Sequence, residues 1–153
     1  MIDRTTGITT EWIILADHAE VNNGKLYLMG GGWETVTVNQ EFPTAHPCGI
    51  AVAFFVPWSE TNQAHPVAIE ALDADGESLI EIEAELEVAR PPGMPLGSGQ
   101  RVPIAVNLTL QLERAGTYRV TTRIHAQASG SVDFNVVEGP GLGRARPKKR
   151  RAD

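Results

Sequence analysis

Apolar residues recur at every second position along most of this chain. Turn-forming residues interrupt the alternation every 8–14 residues. The first predicted strand covers about 11–21, with Trp12, Ile14 and Ala16 on one face and Ile13, Leu15 and Ala19 on the other. Asn22-Asn23-Gly24 is a tight-turn signal, because Asn and Gly accept the positive φ that a short hairpin needs. The second run, 25–38, carries Leu26 and Leu28, breaks at Gly30-Gly31-Gly32, and resumes from Trp33 with Val36 and Val38. Residues 12–38 therefore read as a long hairpin. The glycine triplet marks a bulge, or a bend where the strand changes sheets.

A loop is expected over 39–47. The third strand, 48–56, is apolar on both faces and rich in β-branched and aromatic residues, which predicts a central position. Further strands are predicted at 67–73, 77–89, 102–112, 117–127 and 132–136. Turns are expected at Asp73-Ala74-Asp75-Gly76, Ala115-Gly116 and Ser129-Gly130. In the strand at 77–89, Ile80, Ile82, Ala84, Leu86 and Val88 alternate with Glu81, Glu83, Glu85 and Glu87. The glutamate row predicts a solvated face that guards a sheet edge or an outer face, with Arg119 and Arg123 as cross-strand partners if the strands are neighbours. No amphipathic helix and no internal repeat appear. The pattern predicts an all-β domain: an eight-stranded, mostly antiparallel β-sandwich, immunoglobulin-like or jelly-roll-like. Ala115-Gly116-Thr117-Tyr118 adds the outline of a tyrosine corner.

With 153 residues the chain suits one domain. The expected organisation is a flexible lead-in at 1–10, the sandwich at 11–137 and a disordered basic tail at 138–153. The net charge of −6 hides an asymmetry. Residues 1–137 carry 17 acidic and 7 basic side chains (−10), and residues 138–153 carry 2 acidic and 6 basic (+4). An acidic body does not attract nucleic acid, so only the tail, Arg144 to Arg151, offers weak electrostatic contact with it. A lone cysteine, a polar start without a signal pattern, and apolar runs too short to span a bilayer predict a soluble, cytoplasmic protein that needs no membrane.

Few residues form constellations that could carry chemistry. Cys48 reads as a small buried hydrophobe, and no Gly-x-Ser-x-Gly elbow is present. The histidines, His18, His46, His65 and His125, show no paired metal-ligand spacing. Asp17, His18 and Glu20 are split between two strand faces. The glycine triplet lacks the lysine and helix of a phosphate loop. Asp73, Asp75 and Glu77 resemble half of a calcium loop, against the plainer reading of an Asp-Gly turn. The segment 57–66 gathers Trp58, Glu60, Asn62 and His65. That set suits sugar stacking or a protein contact, against the plainer reading of a capped connection between sheets with Trp58 plugging one end of the core.

Several stretches together resemble an uncharacterised family of small bacterial all-β proteins. They include Leu15-Ala16-Asp17-His18-Ala19, Gly24-Lys25-Leu26-Tyr27, Gly30-Gly31-Gly32-Trp33, and Val56-Pro57-Trp58 with Glu60, Asn62 and His65. Leu72-Asp73-Ala74-Asp75-Gly76, Arg90-Pro91-Pro92-Gly93, the run Val102 to Leu108, and Gly116-Thr117-Tyr118 complete the set, which spans roughly residues 11–137. The resemblance implies a single all-β domain, supplies no activity or cofactor, and supports the 57–66 loop as more than filler. The leading expectation is a non-catalytic binding or protein-interaction module without cofactor, acting on a protein partner or on itself as a homo-oligomer. A calcium- or carbohydrate-binding domain is the alternative, and a small hydrolase is third.

Overall fold

The computed structural model describes residues 7–140. The domain is all-β. Among the described residues it has ten strands in three sheets, where the alternation predicts eight in a sandwich. The two additional strands come from the opening hairpin. Its first run splits at Asp17 into β1 (Thr9–Ala16) and β2 (His18–Asn22), and its second splits at the glycines into β3 (Lys25–Met29) and β4 (Thr35–Val38). The Asp17 N–H donates to both the Met29 and Gly30 carbonyls at 3.1 Å, and Gly32 N–H donates to the Leu15 carbonyl at 2.8 Å. These bonds hold the crossing where both runs change sheets. The glycine triplet is thus a bend between sheets.

The remaining strands are β5 (Thr44–Val56), β6 (Ala64–Leu72), β7 (Ser78–Glu87), β8 (Gln100–Leu112), β9 (Gly116–Ile124) and β10 (Gln127–Glu138), with a short 3-10 turn at Trp58–Glu60. One sheet has the order β1-β5-β8, a second β4-β10-β9-β6-β7, and β2-β3 form a two-stranded ribbon. Pairing is antiparallel except between β4 and β10. The apolar run at 48–56 is central, as its two-sided pattern predicts, and every residue from Cys48 to Phe54 is buried. Strand β5 also begins four residues earlier than expected, inside the stretch read as a loop.

The inner faces of the two larger sheets meet in one core. Ile50, Val52, Phe54, Leu110 and Leu112 from the first join Ile69, Tyr118, Val120, Phe134 and Val136 from the second. Tyr118 is fully buried, and its hydroxyl donates to the Arg114 carbonyl at 2.7 Å. The β2-β3 ribbon lies across the first sheet over Gly49. The Asn107 side chain holds it there, accepting from the Ala19 N–H at 3.0 Å and donating to the Ala19 carbonyl at 2.8 Å. A Cβ on Gly49 would stand 2.7 Å from the Ala19 nitrogen, so only glycine admits this crossing.

The turn expected at Ser129-Gly130 lies elsewhere. His125 and Ala126, with φ of 50° and 64°, form the two-residue turn between β9 and β10. Ser129 sits where the β9-β10 register slips, inside β10, and its hydroxyl accepts from Thr10 of β1 at 2.8 Å. The strand thus continues through Ser-Gly by a bulge. Asn23-Gly24 makes the corresponding β2-β3 turn as expected, with φ of 51° and 71°. The basic segment 144–151 and residues 1–6 lie outside the described residues, and β1 begins at Thr9, within the stretch expected as a lead-in.

Candidate functional site

The 57–66 loop leaves the end of β5 and enters β6, so its residues cap one end of the core. His65 is 1% exposed. Its Nε2 lies 2.7 Å from the Glu60 carbonyl, which can only accept, so that nitrogen carries the proton. In the neutral ring Nδ1 is then the acceptor. It receives a hydrogen bond from Nε2 of His125 at 2.8 Å. The Glu60 carboxylate stands 3.7 Å from His65 Nε2. Trp58 is covered by its own neighbour: the Arg90 guanidinium sits 3.9 Å from the ring centroid, donating also to the Trp58 carbonyl and the Thr61 hydroxyl. Asn62 adopts a left-handed backbone, φ 58°, and its N–H donates to the Val88 carbonyl.

The four loop residues therefore do not converge on one open face. Trp58 and Asn62 shape the connection, and His65 is a buried polar anchor. Its partner His125, sixty residues away, is the member nearer solvent. His125 lines a groove of about 780 Å³ on the outer face of β6, β7 and β9, together with Pro66, Ala68, Glu83, Glu85 and Arg123. Ala68 pairs with both Arg123 and Glu83 in register, so a small side chain between two long ones hollows the surface. Arg123 pairs with Glu70 of β6 at 3.0 Å and reaches across β6 to Glu81 of β7. This is the expected link to the glutamate row, made over an intervening strand. Arg119 instead pairs with Asp133 of β10.

Strand β7 ends the five-stranded sheet, so the glutamate row does sit on an edge. Glu83, Glu85 and Glu87 are exposed and form no ion pair among the described residues. The sequence reading missed His125, Arg123 and Ala68 as site residues. The alternation runs unbroken from Tyr118 through Ala126, so no local signal placed this histidine in a turn.

The other residues singled out in the sequence have local roles. Asp73 Oδ1 accepts the N–H groups of Asp75 and Glu77, both at 2.9 Å, and Asp75 pairs with Arg114. This is the Asp-Gly turn; among the described residues no three His, Cys, Asp or Glu side chains gather as a metal site. Cys48 is buried, and burial together with the nearby Asp17 charge pushes its thiol up to about 11. Burial also moves His46 below the ordinary histidine range, against the pull of Asp17. Among the described residues no serine or cysteine is hydrogen-bonded to a histidine.

A family model matches residues 11–137, and its description is a family of unknown function, DUF6941. The chain belongs to DUF6941. The match covers the whole β domain apart from the first residues of β1 and the last of β10. No curated protein matches this DUF6941 chain. Among solved structures, it is similar to the Pseudomonas fluorescens alkylpurine DNA glycosylase AlkC bound to DNA containing an abasic site analog, with a TM-score of 0.44 and 9% identity. That likeness covers 86% of this chain and 31% of the other, so the DUF6941 chain spans under a third of that protein. Among the described residues, no helix is long and apolar enough to cross a membrane.

Proposed function

We propose that this domain is a non-catalytic protein-interaction module of the cytoplasm, which binds extended protein segments along β7 and the groove beside it. The observation that carries this reading is the placement of a 780 Å³ groove against a free strand edge. An extended peptide added to such an edge gains main-chain hydrogen bonds, and an adjoining groove receives its alternate side chains. Glu83 and Glu85 give the groove a preference for cationic side chains.

The two-sheet core and the Tyr118 bond back to Arg114 support an immunoglobulin-like variant of the sandwich, with β2-β3 as an added ribbon. The carbohydrate alternative requires a sugar to displace Arg90 from the Trp58 ring. The calcium alternative requires Asp73 and Asp75 to release their turn and ion-pair partners. Hydrolysis lacks an activated nucleophile among the described residues.

Amide-resolved NMR titrations with Lys-containing extended peptides, a glycan panel and calcium test the reading. Shifts along β6, β7 and His125 with peptide alone are expected. Turnover of any substrate that is lost in His125→Asn would refute a non-catalytic role.

A further inference from the structure

The structure and the sequence together name a ligand for this edge, an inference that rests on the interaction-module reading. We propose that residues 144–151 of one copy add as an extended strand to the β7 edge of a second copy. Among the described residues strand β7 is paired only with β6 along Ser78–Glu87, which leaves its outward backbone groups open to a further strand. It is the longer edge of its sheet, since β4 at the other side has four residues. The glutamate row makes pairing of two β7 edges repulsive and favours a strand with positive charge at the same period. The sequence contains a segment with that period: Arg144, Arg146, Lys148 and Arg150 recur at two-residue spacing, as do Glu81, Glu83, Glu85 and Glu87. Pro147 falls in the opposite phase. In an antiparallel ladder alternate residues bond to alternate sides, so its missing N–H faces away from β7, on an edge that tolerates proline.

The segment comes from a second copy because its own copy cannot set this register. Strand β10 ends at Glu138 beside β4, the far edge of the sheet. A strand added outside β7 lies four strand spacings away, about 19 Å. Glu81 is level with Glu70 and Thr121, and Val136 is level with Gly116. Glu138 is therefore seven residues from Glu81 along the strand direction, about 23 Å. Together these put Glu81 about 30 Å away along the sheet, and in the antiparallel register Arg144 lies opposite Glu87, farther still, whereas the six residues from Glu138 to Arg144 span at most about 22 Å.

Sedimentation velocity of the full chain at low ionic strength tests the proposal. Concentration-dependent association is expected, reversed by 0.5 M salt, since exposed pairs are screened there (Debye length roughly 3–8 Å). Glu83→Lys with Glu85→Lys, or Arg146→Glu with Lys148→Glu, should each weaken association about tenfold, and mixing the two reversed proteins should restore it. A synthetic peptide of residues 141–153 should compete. The same peptide N-methylated at the Arg146 and Lys148 backbone nitrogens should not, which separates strand pairing from charge alone. A monomer at all concentrations, association that survives both reversals, or equal competition by the methylated peptide would overturn the proposal. If the monomer still takes a foreign Lys-Thr repeat peptide onto β7, the interaction reading stands and the assignment of residues 144–151 fails.

Discussion

Replacing His125 tests the link between the buried loop and the groove. His65 is 1% exposed, and its Nδ1 has His125 Nε2 as its hydrogen-bond partner at 2.8 Å. Removing the partner leaves a buried acceptor unsatisfied, which costs about 1–3 kcal/mol. Alanine is the wrong substitute, because His125 has φ 50° and Ala would add backbone strain there. Asparagine tolerates that conformation but is too short to replace the ring nitrogen, so His125→Asn isolates the hydrogen bond. For a chain of 153 residues, about 2 kcal/mol corresponds to a Tm lower by roughly 4–8 °C. Urea unfolding should show a lower midpoint with an unchanged m-value. A cycle with His65→Phe separates the pair: the double variant should lose less than the sum of the single losses by about 1 kcal/mol. His18→Asn, on the exposed ribbon, serves as the control and should change stability by under about 0.5 kcal/mol. A His125→Asn protein as stable as the parent, or a cycle with no coupling, would refute the account of the loop.

Other consequences follow from single contacts. Gly49→Ala should destabilise by about 1–3 kcal/mol in urea unfolding, because its Cβ meets the Ala19 backbone at 2.7 Å. Tyr118→Phe should lose about 1 kcal/mol by the same measurement, since the Arg114 carbonyl loses its donor. The Cys48 thiol should resist alkylation in the native state at pH 8. Its pKa is raised from 9.0 to about 11 on folding, so its contribution is complete below pH 9 and falls away between pH 9 and 11; Cys48→Ala should flatten that part of the stability profile. His46 has the opposite sign: burial lowers its pKa, so the unfolded chain binds its proton first. Stability should fall as pH drops through the ordinary histidine range near 6.5, and less so in His46→Gln.

The features legible in the sequence were those set by period and by turn chemistry. Two-sided burial placed β5 at a sheet centre, and the glutamate row marked β7 as an edge or an outer face, of which the sheet order gives the edge. Asn23-Gly24 gave the ribbon its turn, and the glycine triplet gave the change of sheet. The two splits that turn eight runs into ten strands were less visible, because alternation continues across Asp17 while the hydrogen-bonding partner changes from β5 to β3. Ser129-Gly130 read as a turn by composition, yet a bulge carries the strand through it. The groove was hidden for a different reason. His65 meets His125, and Arg123 reaches Glu81, only because β6 lies between β7 and β9, and no local pattern encodes that order. Of Trp58, Glu60, Asn62 and His65, which are near each other in sequence, Glu60 and His65 meet directly, while Trp58 and Asn62 contact Arg90 and Val88, partners that spacing along the loop does not reveal.

The central claim is that β7 and its groove bind an extended protein segment. Its most direct measurement is the NMR shift map of the full chain titrated with an extended peptide carrying lysine at every second position. The account predicts saturable shifts confined to β6, β7, Arg123 and His125, lost in the variant carrying Glu83→Lys and Glu85→Lys. Shifts centred instead on the Trp58 loop or the Asp73 turn, or no saturable shifts at all, would contradict it.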